Sequence, residues 1–202
     1  IKDLNASFDA DQLTVIIGPN GAGKSLLLRL CHGLIKPSVG KIFWNGPSAD
    51  TPNLYQAMVF QRPIMLRRSV VANIKHALNV RSENSTKATQ TIEYVLHQTG
   101  LARLAKVPAR QLSVGEQQRL ALARAWSLNP EVLFMDEPTA ALDPAATYSL
   151  EEIILTIKNT GTKIIMSTQD LGQARRLADD VLFIYRGRLL ERAEASIFFN
   201  QP

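Results

Sequence analysis

The sequence is poor in several features, and each shortage excludes something. It has a single cysteine, Cys31, so no disulfide can form within the chain, which fits a reducing compartment. Cys31 lies in an apolar helical stretch and reads as a small core residue. No apolar run approaches the roughly 18–20 residues needed to span a bilayer, and no signal peptide is visible. The three histidines, His32, His76 and His97, are scattered without metal-ligand spacing and read as surface or core residues. There is no internal repeat and no low-complexity segment. The first residue is Ile1 rather than Met, within a strand-like pattern, so further N-terminal sequence is expected.

What is present points to a folded domain. Hydrophobic residues make up 46% of 202, enough for a sizeable core in one domain, or one domain carrying an inserted lobe. Lys+Arg 23 against Asp+Glu 18 leaves +5. That balance suits a nucleotide, a membrane surface, nucleic acid or simply a solvated basic face, and does not choose among them.

Periodicity predicts two strands within Ile1–Ile17, one on Leu4, Ala6 and Phe8 and one on Leu13, Val15 and Ile17. A helix is expected from about Lys24 to Leu34, then a short strand Lys41–Trp44 ending in an Asn45-Gly46 turn. Ala57–Phe60 reads as a buried strand. Residues 62–111 read as mostly helical, with a polar loop at Arg81–Lys87. Beyond them come a helix Val114–Leu128, a strand Val132–Met135, and a helix opened by Asp143-Pro144. A strand Lys163–Ser167, a helix Leu171–Ala178 and a hairpin of Val181–Tyr185 with Arg188–Glu191 complete the pattern. Strands alternating with helices predict an α/β core with a mainly parallel sheet and some antiparallel β elements.

Three motifs carry chemistry. Gly18-Pro19-Asn20-Gly21-Ala22-Gly23-Lys24-Ser25 fits a phosphate-binding loop between a strand and a helix. Glycines turn backbone N–H groups toward phosphate oxygens, the helix N-terminus adds partial positive charge, Lys24 reaches the β- and γ-phosphates, and the Ser25 hydroxyl ligates Mg²⁺. Val132–Met135 delivers Asp136 and Glu137 at the carboxyl edge of a strand, where α/β folds place ligands. Asp136 is expected to hold Mg²⁺ and Glu137 to polarise a water for in-line attack; alone, an apolar run followed by Asp-Glu is a common pattern. In Leu112–Gln118, Ser113 and Glu116 form a capping box. It reads as a well-capped helix, or as one whose serine and flexible Gly115 contact phosphate.

Together, Gly18–Ser25, Gln61, Leu112–Gln118, Val132–Glu137 and Ala141-Leu142-Asp143 resemble, in order and spacing, the Walker A, Q-loop, signature, Walker B and D-loop of the ABC ATPase family. The resemblance covers essentially the whole chain. It implies a P-loop NTPase core lobe at about residues 1–61 and 131–202, with a helical lobe inserted at about 62–130. It implies Mg²⁺ and ATP, held between the P-loop of one subunit and the signature of a second ATPase subunit. Ser113 and Gly115 then contact the partner's nucleotide, Gln61 senses Mg²⁺ and the attacking water, and Asp143 faces the dimer interface. It also implies membrane-spanning permease subunits, a solute-binding protein, a peripheral place on the cytoplasmic face of the membrane, and no nucleic-acid partner.

Two departures from the family pattern stand out. The aromatic residue that stacks on adenine has no candidate, since Phe8 lies too close to Gly18; it is expected before Ile1. Gln169 stands where the family has a histidine that contacts the γ-phosphate and helps position Glu137. Glutamine donates a hydrogen bond but cannot become charged, which bears on hydrolysis more than on ATP binding. The rival readings are a soluble relative acting on nucleic acid or the ribosome, and a nucleotide-dependent scaffold with weak hydrolysis. The first is disfavoured by a single cassette with only about fifty residues between Gln61 and Ser113; the second is disfavoured by Glu137. Compact length resembles importer subunits, and Phe60–Ser69 resembles the subgroup serving tungstate and related oxyanions. Arg67-Arg68 within it reads as a solvated loop, or as a contact for anionic lipid or the transporter subunit.

Overall fold

Leu13–Ile17 (β1), Val132–Asp136 (β3) and Lys163–Ser167 (β4) are too uniformly buried to lie on a sheet with one wet face. Such strands need cover on both sides, and a parallel sheet flanked by helices provides it. The computed structural model describes residues 1–45, 55–80 and 85–200, with only the backbone of Ser85 and Thr86. With Gln56–Val59 (β2), Asp180–Tyr185 (β5) and Arg188–Glu194 (β6), these strands form a six-stranded sheet in the order β2-β3-β4-β1-β5-β6. All neighbours are parallel except β5 and β6. That pair is a hairpin whose turn residues, Arg186 and Gly187, have φ of 47° and 77°, as a two-residue turn of this hand requires.

The period of two sorts the strand side chains onto two cores. Leu13, Val15, Ile17, Leu133, Met135, Ile164 and Met166 join the larger one. Ile16, Phe134, Ile165 and Leu182 face the other way, onto Leu27 and Leu28 of Lys24–His32 (α1). On the larger face, Val70–Val80 (α2), Ser85–Gln98 (α3) and Val114–Ser127 (α4) pack on one another. Ile74, Leu78, Val95 and Leu120 join their core to that of the sheet, and Tyr94 meets Trp126 edge to face at 5.4 Å. Pro144–Asn159 (α5), Leu171–Leu177 (α6) and one final turn, Ala195–Phe198 (α7), complete the chain.

Three expectations are corrected. Residues 1–9 form no strand: Asp3 turns the chain at φ 51°, and Leu4 and Phe8 pack on the α1 core while Ala6 stays exposed. Lys41–Trp44 is not a strand either; Trp44 is held by an edge contact with Phe134 at 6.2 Å. The turn expected at Asn45-Gly46 runs outside the described residues at Gly46. Ser85–Lys87 belong to α3 rather than to the polar loop, whose residues 81–84 lie outside the described ones. The closing turn α7 lies beyond the elements that the sequence pattern predicts.

Candidate active site

Five parallel strands end at the same edge of the sheet, and the segments leaving β1, β2, β3 and β4 carry the chemistry. After β1 the chain turns at Gly18, φ 148°, so tightly against β5 that a Cβ there would lie 2.1 Å from the Ile184 carbonyl oxygen. Only glycine permits that approach. Gly23, φ 107°, precedes α1 as its N-cap. The Lys24 side chain is buried and curls back over the loop, its Nζ donating to the carbonyls of Gly18 at 2.8 Å and Pro19 at 3.3 Å. The neighbouring Ser25 Oγ donates to Asp136 Oδ1 at 2.8 Å.

Sheet register brings a second hydroxyl to the same oxygen. Ile16, Ser167 and Asp136 lie side by side across β1, β4 and β3. Ser167 Oγ, fully buried, donates to Asp136 Oδ1 at 2.8 Å and accepts from the Glu137 N–H at 3.1 Å. The carbonyl of Ser167 also accepts from that N–H, at 3.1 Å. So anchored, Glu137 leaves the strand in the left-handed region, φ 44°, at a cost of roughly 1–2 kcal/mol for a residue with a Cβ. The carboxylates on either side of the kink take different partners: Asp136 the hydroxyls of Ser25 and Ser167, Glu137 the side chains of Gln169, Lys24 and Gln61.

Three donors converge on Glu137. Gln169 Nε2 donates to both carboxylate oxygens at 2.8 Å, Lys24 Nζ is 3.2 Å from Oε1, and Gln61 Nε2 donates to Oε2 at 3.4 Å. Glu137 is 9% exposed; a carboxylate so buried requires such partners. Gln118 Nε2, from α4, donates to the Gln61 carbonyl at 2.8 Å, tying the segment after β2 to the helix that begins at Ser113. The sequence implies a γ-phosphate contact for Gln169; in the structure its amide spans Glu137.

Ser113, Gly115 and Asp143 gather separately. Ser113 caps α4: its N–H and Oγ both donate to Glu116 Oε2 at 2.8 Å, and its Oγ accepts from Glu116 N at 3.3 Å. These bonds to Ser113 hold the Glu116 carboxyl below the usual carboxylate range. Asp143 caps α5 by accepting from Ala146 N at 2.9 Å. A Cβ on Gly115 would sit 3.3 Å from the Ala146 Cβ, so the two helix starts abut. Ser113, Gly115, Ala141 and Asp143 line the groove between them, and two positive helix ends meet there.

The donor set beside Lys24 fits Mg²⁺. A hydroxyl and one carboxylate are hard oxygen ligands, and this ion keeps its other positions for phosphate and water. Ser167, at the end of a predicted strand, and Gln118, within the signature motif, have contacts in the site that motif reading did not assign them. Each becomes visible only when strand register or helix packing is known.

Residues 1–140 match the family model described as ABC transporter. The chain is 36% identical over 194 residues to the tungstate uptake system ATP-binding protein of Peptoclostridium acidaminophilum, covering 96% of this chain and 89% of that one. It is 34% identical over 211 residues to the glutamine transport ATP-binding protein of Bacillus subtilis, covering 100% and 87%. Among solved structures it resembles cbiO1 of Clostridium perfringens, part of an ABC transporter complex, with TM-score 0.86, 27% identity and coverage of 98% and 83%. A dimeric ATP-binding cassette in a post-hydrolysis state shares the fold at TM-score 0.84 and 23% identity, over 96% and 90%.

Proposed function

This chain belongs to the ABC transporter family as an ATP-binding subunit and ATPase, and from that premise we propose that it powers uptake of a small oxyanion through membrane-spanning permease subunits. The observation that carries the catalytic reading is Glu137, buried at the strand edge with both oxygens engaged by Gln169 and one by Lys24. Backbone N–H groups of Gly18–Ser25 and the start of α1 receive the phosphates. Lys24 neutralises the β- and γ-phosphates, and Ser25 with Asp136 would hold Mg²⁺, which supplies charge neutralisation. Glu137 accepts the proton of the attacking water, with Gln61 and Gln169 fixing its carboxylate.

Two copies pack head to tail, so that Ser113 and Gly115 of one meet the nucleotide on the P-loop of the other and Asp143 lies at the interface. The core lobe comprises about residues 1–61 and 131–202, and the helical lobe about 62–130. A groove lined by His32, Phe60, Leu66, His76 and Arg124 receives the permease and adjoins Gln61, which links transport to hydrolysis. The complex sits on the cytoplasmic face and takes its cargo from a solute-binding protein. The cargo class rests on the tungstate relative and on Phe60–Ser69. In vesicles reconstituted with the permease and solute-binding protein, tungstate is expected to stimulate ATP turnover. Stimulation by glutamine and not by any oxyanion sinks the cargo assignment.

Gln169 gives a second expected outcome. Its amide bonds a charged carboxylate, an interaction worth about 1.5–3 kcal/mol. Gln169→Ala is therefore expected to slow hydrolysis roughly ten- to a hundredfold with ATP affinity nearly unchanged. Because glutamine does not titrate, the parent's rate profile lacks a step at about pH 6–7 from this position, and Gln169→His introduces one. Turnover measured across pH 5.5–8.5 decides it: a Gln169→Ala rate equal to the parent's makes the residue a bystander.

A further inference from the structure

The α6 helix begins one residue after its cap Asp170, which follows Gln169, and its first turn carries a side chain that the hydrolytic reading does not use. Gln173 is completely buried. Its Oε1 accepts from Thr139 Oγ1 at 3.1 Å, and its Nε2 donates to Glu151 Oε1 at 3.0 Å. Glu151, on α5 and 4% exposed, is clamped by Arg176, whose Nη2 and Nε donate to its two oxygens at 2.7 and 2.9 Å. The Arg176 guanidinium stacks 4.9 Å from the centre of the Tyr148 ring. The result is a continuous polar chain, Thr139–Gln173–Glu151–Arg176, that runs through the buried Gln173 and Glu151 and ends on the exposed Arg176.

Stability alone does not account for it. Burying a polar pair such as Gln173 and Glu151 is commonly no more stabilising than apolar side chains of the same volume. Such a network does fix geometry, because each member is satisfied in one arrangement only. Its ends identify the geometry it fixes. Thr139 is two residues beyond Glu137, in a turn closed by Ala140 N donating to the Glu137 carbonyl at 3.2 Å. Gln173 is on the helix whose cap, Asp170, accepts from Gln173 N at 3.1 Å and immediately follows Gln169.

We propose that Gln173 is a positioning residue for hydrolysis: by bridging Thr139 to Glu151 it locks α6 onto the turn after Glu137, so that the Gln169 amide spans both oxygens of the Glu137 carboxylate. The proposal rests on the reading of Glu137 and Gln169 given above. Gln173→Leu keeps the bulk and removes the bridge; Thr139→Val does the same from the other end. Each is expected to lower kcat about tenfold while KM for ATP stays within about twofold. The double variant is expected to be no slower than the worse single one by more than about twofold, because both break one link. Thr139→Ser, which keeps the hydroxyl, is expected to restore kcat. Lower thermal stability with unchanged kcat, additive losses in the double variant, or a Thr139→Ser enzyme as slow as Thr139→Val overturns the proposal. If Gln173→Leu does not fold, the Thr139 pair decides by itself. Glu137→Gln, measured beside them, separates the two layers: if it hydrolyses ATP like the parent, the active-site reading itself falls.

Discussion

Glu137→Gln is expected to bind ATP with nearly parental affinity while hydrolysis falls roughly 10²- to 10⁴-fold, the range spanned by removal of a positioned general base. The substitution keeps side-chain volume, and Glu137 is held by its surroundings rather than by exposed contacts. Its backbone N–H stays on Ser167, and the kink at φ 44° is unchanged. What disappears is the carboxylate that would accept a proton from water. The nucleotide, bound but not cleaved, is then expected to keep two copies together, as the proposed contact of Ser113 and Gly115 of each with the ATP of the other requires. Light scattering with ATP and Mg²⁺ is expected to show doubled mass for Glu137→Gln and a mainly monomeric parent after turnover. Parental turnover in the variant removes Glu137 from the catalytic role. A variant that stalls hydrolysis yet stays monomeric at high protein concentration removes the sandwich instead.

The residues of this site differ in how far the sequence exposes them. Gly18–Ser25 and Asp136-Glu137 are local: a loop and a strand end whose composition states their chemistry, and β1, β3 and β4 fall where periodicity puts them. Strand order and the row Ile16–Ser167–Asp136 are not local. They depend on which strands neighbour one another, and no pattern within a single strand encodes that. Ser167 therefore reads as a strand terminus until the sheet shows it bonding Asp136 and the backbone of Glu137. Gln173 reads as one polar residue of a short helix, and only packing reveals it as the joint between Thr139 and Glu151. The misplaced strands have the converse cause. The alternation of Leu4, Ala6 and Phe8 satisfies the period of two, but the turn at Asp3 and burial of Leu4 and Phe8 against α1 take those residues out of the sheet. Gln169 lies between these cases: the resemblance locates it, while only the structure shows that its amide meets the Glu137 carboxylate.

Lys24→Ala is expected to weaken equilibrium ATP binding at least tenfold, about 1.4 kcal/mol. Three contacts meet at its ammonium group: the carbonyls of Gly18 and Pro19, and Glu137 Oε1. The two carbonyls tie the charge to the loop proposed to receive the phosphates; removing the cation would leave backbone N–H groups and the helix end to balance them. The loss is also visible in thermal unfolding. At ATP one hundred times its dissociation constant, the parent gains about 2.7 kcal/mol from the ligand. A tenfold weaker site gains about 1.4 kcal/mol at the same concentration. The ATP-induced rise in melting temperature is thus expected to fall by about half, or further if affinity falls further. The same substitution deprives the buried Glu137 of its one cationic partner among the described residues, so the nucleotide-free variant is also expected to melt below the parent. The two effects separate: the first is the difference with and without ATP, the second the baseline. Calorimetry that returns parental affinity rejects Lys24 as a phosphate ligand. A lowered baseline with parental affinity and lost turnover instead assigns the lysine to Glu137 alone.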